Sequence, residues 1–426
     1  MRKRHVVIGT AIFCSTALAL SACGGADEGS TDTQSGDGES ITLTVATFNE
    51  FGYEDLLKEY EESHPGITVE HKKAATSNEA HDNLNTRLAA GSGLSDIEAV
   101  EVDWLPELLQ YSDKFNDLSG DDVKGRWLDW KDAAATDSEG RLIGFGTDIG
   151  PEGVCYRADL FEAAGLPSDR DEVAQLLEGD WNTYFEVGKD FTDKTGIPWY
   201  DSAGATFLGM INQVEFPYEN EDGTPIPLAE NTDVKALYDE LLATHDISAH
   251  FEQWSEDWSS SFQNDGFATM LCPGWMLGVI EGNADGVEGW DIANVFPGGG
   301  GNWGGSYLTI PNQTEHFEEA RELAAWLTAP EQQIKAFKAK GTFPSQVEAL
   351  DSPDLLEQTN EFFNNAPTGQ ILSDRAKAVT VRPFKGAHYF AINSVVGDAI
   401  LRVENGSDDP ETSWQKALEA YDALGL

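Results

Sequence analysis

The chain has 426 residues, with 75 Asp and Glu against 27 Lys and Arg, a formal net charge of −48. That length exceeds one ordinary core and predicts two substantial lobes. So acidic a surface makes nucleic acid, anionic lipid surfaces and polyanionic substrates poor partners. The plain reading of the charge is a solvated surface that keeps an exported protein soluble, and about a ligand it says only that a strong anion is not expected.

The first stretch, "MRKRHVVIGTAIFCSTALALSAC", has a basic start, an apolar run from Val6 to Leu20 and small residues before Cys23. This is the layout of a secretory signal, shorter than the roughly 20 residues a membrane span needs. "LSAC" resembles the bacterial lipobox, in which the cysteine thiol receives a lipid. The expectation is a leader over residues 1–22 and a lipidated Cys23, the only contact with the membrane. Residues 24–40, "GGADEGSTDTQSGDGES", contain no large apolar side chain and read as a flexible tether. Removal of Cys14 and lipidation of Cys23 leave Cys155 and Cys272 in an oxidising compartment. A disulfide between them is expected, the alternative being two buried thiols. There is no CxxC pair or His cluster, and "YENEDGTPIPLAE" fails calcium-loop spacing at Ala229, so neither metal nor cofactor is expected.

From Ile41 onward strands and helices alternate. "ITLTVATF" is a β-branched strand, "GYEDLLKEYEESHPG" a helix with a Pro-Gly stop, "ITVEHKKAA" a second strand, and Ile97–Val102 a buried third. The alternation predicts an α/β class with mostly parallel sheets. In such sheets ligands sit at strand carboxyl ends. That rule singles out Asn49, Glu50, Phe51 and Tyr53 after the first strand, and Glu101, Asp103 and Trp104 after the third. An aromatic staple between loop and helix is the equal alternative for either ring of the first group. "GFGTDIGPEGVCYRADLF" breaks a strand with glycines and a proline, which predicts a crossing between lobes at Thr147 and Asp148, an ordinary Gly-rich surface loop inside one lobe being the equal alternative. "FATMLCPGW" predicts a strand that ends by exposing Gly274 and Trp275. "PGGGGNWGGSYLTIP" lacks the Gly-Lys-Ser/Thr of a phosphate cradle. Its expected roles are slack for a second crossing at Gly298–Gly301, a tryptophan at the rim, Trp303, and close backbone approach at Gly304 and Gly305 before a strand starting at Ser306.

Trp104, Trp275 and Trp303 fall in predicted loops at strand ends. Aromatic faces interleaved with carboxylates and amides suit sugars, whose C–H faces stack while paired hydroxyls donate. The lipobox, "DIEAVEVDW", "GFGTDIGPEGVCYRADLFEAAGLP", "GFATMLCPGW", "GGSYLTIP", "AAWLTAPEQQIKAFKAKGTFPS" and "SWQKALEAY" occur in the order found in extracellular sugar-binding lipoproteins of carbohydrate ABC importers. The chain resembles their maltose-binding-protein-like branch, family 1, from Ile41 to Leu426.

That resemblance implies a periplasmic-binding-protein-like (type II) Venus flytrap, two α/β lobes with a ligand cleft between them. It implies lobes at 41–150 plus 305–350 and at 151–304 plus 351–426. Site roles carry over to Asn49, Glu50, Phe51, Tyr53, Asp103, Trp104, Asp148, Trp275, Trp303, Gly304 and Ser306, and more weakly to Phe343, Arg382 and His388. The implied partners are a small oligosaccharide and the membrane permease of an ABC system, with the protein a monomer and not an enzyme. "FNEFGY" and "GGNWGGSYLTIP" look closest to binding proteins for cellobiose and related β-gluco-oligosaccharides. The rival readings are a secreted glycoside hydrolase, for which the many acids could supply a catalytic pair, and a binding protein for a non-sugar solute.

Overall fold

A computed structural model describes residues 40–426. The expected leader, the expected lipidation at Cys23 and the expected tether up to residue 39 lie outside the described residues. Among the described residues, no helix is long and apolar enough to cross a membrane.

Among the described residues ten strands organise the fold: β1 (Ile41–Phe48), β2 (Ile67–Ala74), β3 (Ile97–Glu101), β4 (Gly144–Gly146), β5 (Asp148–Ile149), β6 (Glu152–Arg157), β7 (Thr269–Pro273), β8 (Trp290–Ala293), β9 (Ser306–Thr309) and β10 (Phe343–Pro344). The first lobe is built on a five-stranded sheet in the order β2-β1-β3-β9-β4. Leu43 and Val45 alternate inward on β1, whereas β3 is buried from Ile97 to Val100, as a strand covered on both faces must be.

The second lobe carries a three-stranded sheet, β7-β6-β8. Period-two alternation divides its side chains between two cores. Val154, Tyr156, Leu271 and Ala293 enter one, while Cys155, Met270, Cys272 and Ile292 enter the other. On that second face Cys155 and Cys272 form a disulfide between adjacent strands, with Cα atoms 5.5 Å apart.

The expectation of mostly parallel sheets is corrected. β1 pairs in parallel with β2 and β3, but β9 runs antiparallel to both β3 and β4, and the second sheet is wholly antiparallel. The reason is connectivity: β4 leads out of the first sheet toward the second lobe, and β9 re-enters from it against the direction of β3.

The crossing segments run backbone to backbone. Trp303 N–H donates to the Gly150 carbonyl at 2.8 Å, and Gly150 N–H donates to Asn302 Oδ1 at 3.0 Å. A Cβ at Gly150 would lie 1.7 Å from the Trp303 carbonyl oxygen, so only glycine allows this approach. β5 pairs with β10, Phe343 opposite Ile149, beside the same crossing. The four glycines before it are not slack. Gly298 N–H is bonded to Gly179, Gln213 Nε2 donates to Pro297 and Gly300, and the Gly301 carbonyl accepts from Glu152 N–H. The crossing itself is Asn302–Gly305.

Candidate functional site

A cavity of about 740 Å³ opens where the two lobes and the crossing segments meet. From the first lobe it receives Phe48, which ends β1, with Asn49, Glu50 and Phe51 after it, Thr76 to Asn78, which follow β2, and Glu101, which ends β3, with Asp103 after it. Each is delivered by a strand's carboxyl end. The sequence after β2 also starts a helix: Thr76 Oγ1 accepts from Glu79 N–H at 3.2 Å while Glu79 Oε2 accepts from Ala75 N–H at 2.9 Å, a variant of the reciprocal N-terminal box. Asn49 sits in the left-handed backbone region at φ 47°, and its side-chain Oδ1 has no hydrogen-bond partner.

The crossing segments contribute Asp148, Gly304, Gly305 and Ser306 to the floor. Asp148 accepts from Thr147 Oγ1 at 2.8 Å and from Ser306 N–H at 3.0 Å, which holds its carboxylate in one orientation. Burial pushes the Asp148 carboxyl up, and Lys131 opposes that shift. Lys131 is wholly buried beneath this floor, with its Nζ 3.9 Å from the Tyr307 ring centroid. Burial brings its ammonium down to about 8 despite Asp148 and Glu101. Burial, reinforced by Asp103, holds Glu101 well above the usual carboxylate range. Asp103 is paired with Lys385, a residue anchored to the second lobe through the Phe384 N–H bond to the Glu215 carbonyl. This ion pair ties the lobes together at the cavity's edge.

The second lobe supplies a tryptophan wall. Trp303 and Trp275 meet edge to face at 5.2 Å, and Trp275 lies nearly parallel to Trp254 at 6.1 Å. Trp275 Nε1 donates to the Trp303 carbonyl at 3.1 Å, which fixes the indole plane. The helix Tyr389–Glu404 buries Ile392, Val396 and Ile400 in the core and turns Asn393, Asp398 and Leu401 to the cavity.

Of the residues singled out in the sequence, Asn49, Glu50, Phe51, Glu101, Asp103, Asp148, Trp275, Trp303, Gly304, Gly305 and Ser306 line this cavity. The others lie elsewhere. Tyr53 packs on Phe51 at 5.4 Å, in a small recess with Asp148. Trp104 is in the first-lobe core between Phe48 and His81, because the turn after β3 rolls its indole under the sheet. Phe343 is fully buried against Phe337. Arg382 stacks on Trp130 at 5.3 Å in a separate cavity of about 830 Å³. His388 precedes the helix Tyr389–Glu404 and donates its backbone N–H to Glu219. Thr76 and Asn78 were missed although the same strand-end rule, applied to β2, finds them. Trp254, Asn393, Asp398 and Glu404 carried no such signal.

A model of the bacterial extracellular solute-binding proteins matches residues 55–364. A solved structure described as an extracellular solute-binding protein family 1 is 49% identical, covers 91% of this chain and 100% of its own, and superposes with a TM-score of 0.79. The chain is also similar to the arabinooligosaccharide-binding protein of Bacillus subtilis (strain 168), 26% identical over 87% of this chain and 88% of that protein. At 18% identity, a binding protein from B. animalis subsp. lactis Bl-04 solved with β-1,6-galactobiose shares the fold, with a TM-score of 0.76 over 90% of this chain and 96% of its own. Two α/β lobes around a cavity floored by the crossing segments are the type II periplasmic-binding-protein arrangement. The chain therefore belongs to the bacterial extracellular solute-binding proteins, family 1, a family of binding proteins and not of enzymes.

Proposed function

We propose that this protein is the sugar-capturing component of an ABC importer, which takes a neutral oligosaccharide into the cavity between its lobes and delivers it to the membrane permease. The observation that carries this reading is the arrangement of the walls. Tryptophan faces on one side oppose Asn49, Glu101 and Asp148 on the other, the complementarity that a pyranose with apolar faces and equatorial hydroxyls requires. The named ligands of the relatives are sugars as well. Cellobiose and related β-gluco-oligosaccharides are the ligand class we assign first. The 26% identity to an arabinooligosaccharide-binding protein favours arabino-oligosaccharides as the second.

A ligand touching both walls binds the closed arrangement better than the open one, and that difference in affinity drives closure. The protein acts as a monomer with lobes at 41–150 plus 305–350 and 151–304 plus 351–426, held at the outer face of the membrane through a lipid on Cys23. Calorimetric titration of the soluble body with cello- and arabino-oligosaccharides, β-galactosides and maltodextrins tests the reading. Saturable binding of at least one is expected. Silence across the panel, or release of reducing ends, overturns it.

A further inference from the structure

The cavity is longer than the portion that strand ends and crossing segments build. On the helix Tyr389–Glu404, Phe390, Asn393, Gly397, Leu401 and Glu404 recur at helical spacing along the cavity wall. Glu404 lies fourteen positions after Phe390, which at 1.5 Å per position is about 21 Å, roughly twice a disaccharide's length.

The far end of that stripe is tied to an unusual loop. Glu404 is buried and accepts from Ser248 Oγ at 2.7 Å and from Ala203 N–H at 3.2 Å, and its other oxygen lies 3.1 Å from His250 Nδ1. In this loop two non-glycine residues, His250 at φ 60° and Trp254 at φ 73°, occupy the left-handed region. A bulky side chain there is an outlier that persists only where its surroundings over-determine it. They do so here. Asp201 Oδ2 accepts from both Gln253 Nε2 and Trp258 Nε1 at 2.8 Å, and its backbone carbonyl accepts from Phe251 N–H. The strained backbone does not bury the ring. Trp254 is 37% exposed, lines the cavity and extends the tryptophan wall one indole beyond Trp275.

We infer that Trp254 forms a distal subsite that stacks a further sugar ring, so that the ligand in this cavity is an oligosaccharide of three or more units. This inference rests on the sugar-binding reading and adds the ligand's length and the residue that selects for it.

The test is calorimetry of the wild-type soluble body, Trp254→Ala and Trp254→Gly with cello-oligosaccharides and arabino-oligosaccharides of two to five units. Trp254→Gly relieves the left-handed strain, so a folded variant without the indole is secured even if the alanine variant folds poorly. For the sugar that binds, wild-type affinity is expected to rise at least tenfold between the disaccharide and the tri- or tetrasaccharide. Both variants should lose that gain, so that their loss of affinity grows with the length of the ligand. Equal wild-type affinity for two and four units overturns the inference while the sugar-binding reading stands. So does a loss in the variants that is the same at every length. No binding of either series by the wild type overturns the assignment of ligand length and, with it, both sugar classes proposed above.

Discussion

The two walls of the cavity reach the ligand space by different means. In the first lobe, polar groups arrive at the carboxyl ends of β1, β2 and β3, where the chain must leave the sheet in any case. In the second lobe they arrive on the flank of the helix Tyr389–Glu404 and on a loop that holds Trp254 in a left-handed backbone. A wall made of strand ends is positioned by topology. A wall made of helix flank and strained loop is positioned by contacts with distant parts of the chain, such as Asp201 to Trp258 and Glu404 to Ser248.

The sharpest way to break the comparison is to separate the walls. Gly150→Ala places a methyl group 1.7 Å from the Trp303 carbonyl oxygen, where the two nearest atoms are backbone. The crossing has to move, and a loss of more than about 3 kcal/mol is expected. Chemical denaturation gives the value, and a midpoint close to wild type would show that the crossing is pliable.

Lys385→Met comes next. It leaves Asp103 beside Glu101 without its cation, and because the pair is part-buried the cost should fall below the roughly 3–5 kcal/mol of a fully buried one. If the loss comes chiefly from the unpaired Asp103 carboxylate, Lys385→Met combined with Asp103→Leu should recover most of it. A double variant as unstable as the single one would show instead that the pair itself holds the lobes together.

Trp275→Ala probes the wall itself. Its indole borders the ligand space and is locked by the Trp303 carbonyl, so its removal should weaken sugar binding by about 1–3 kcal/mol, roughly 5- to 150-fold. Affinity within twofold of wild type would mean that the sugar does not stack there.

The same contrast explains what the sequence made legible. Asn49, Glu101, Asp103 and Asp148 stand where alternating strands end, so their place could be read from pattern alone. Trp104 satisfied the same rule and yet is core, because position after a strand does not say which way a side chain turns. Gly298–Gly301 read as slack, but the side chain of Gln213, far away in sequence, pins them. Trp254 was invisible for a third reason. Its neighbours predict neither a left-handed backbone nor the exposure of a large ring.

The smallest expected effect concerns the support of that loop. Burial pushes the Asp201 carboxyl up to about 6. Between about pH 4 and pH 6 the folded protein keeps a proton on Asp201 that the unfolded chain has already lost, so this group makes stability fall as pH rises through that window and contributes no slope above it. A shift of this size corresponds to at most about 3 kcal/mol. Asn at this position is neutral at every pH and retains one acceptor for Trp258 or Gln253. Asp201→Asn should therefore lose this part of the decline, and its stability deficit relative to wild type should be smaller at pH 7 than at pH 4. Denaturation of both proteins at the two pH values measures the difference. Parallel pH profiles would mean that Asp201 is ionised throughout and that the loop presenting Trp254 rests on a charged acceptor.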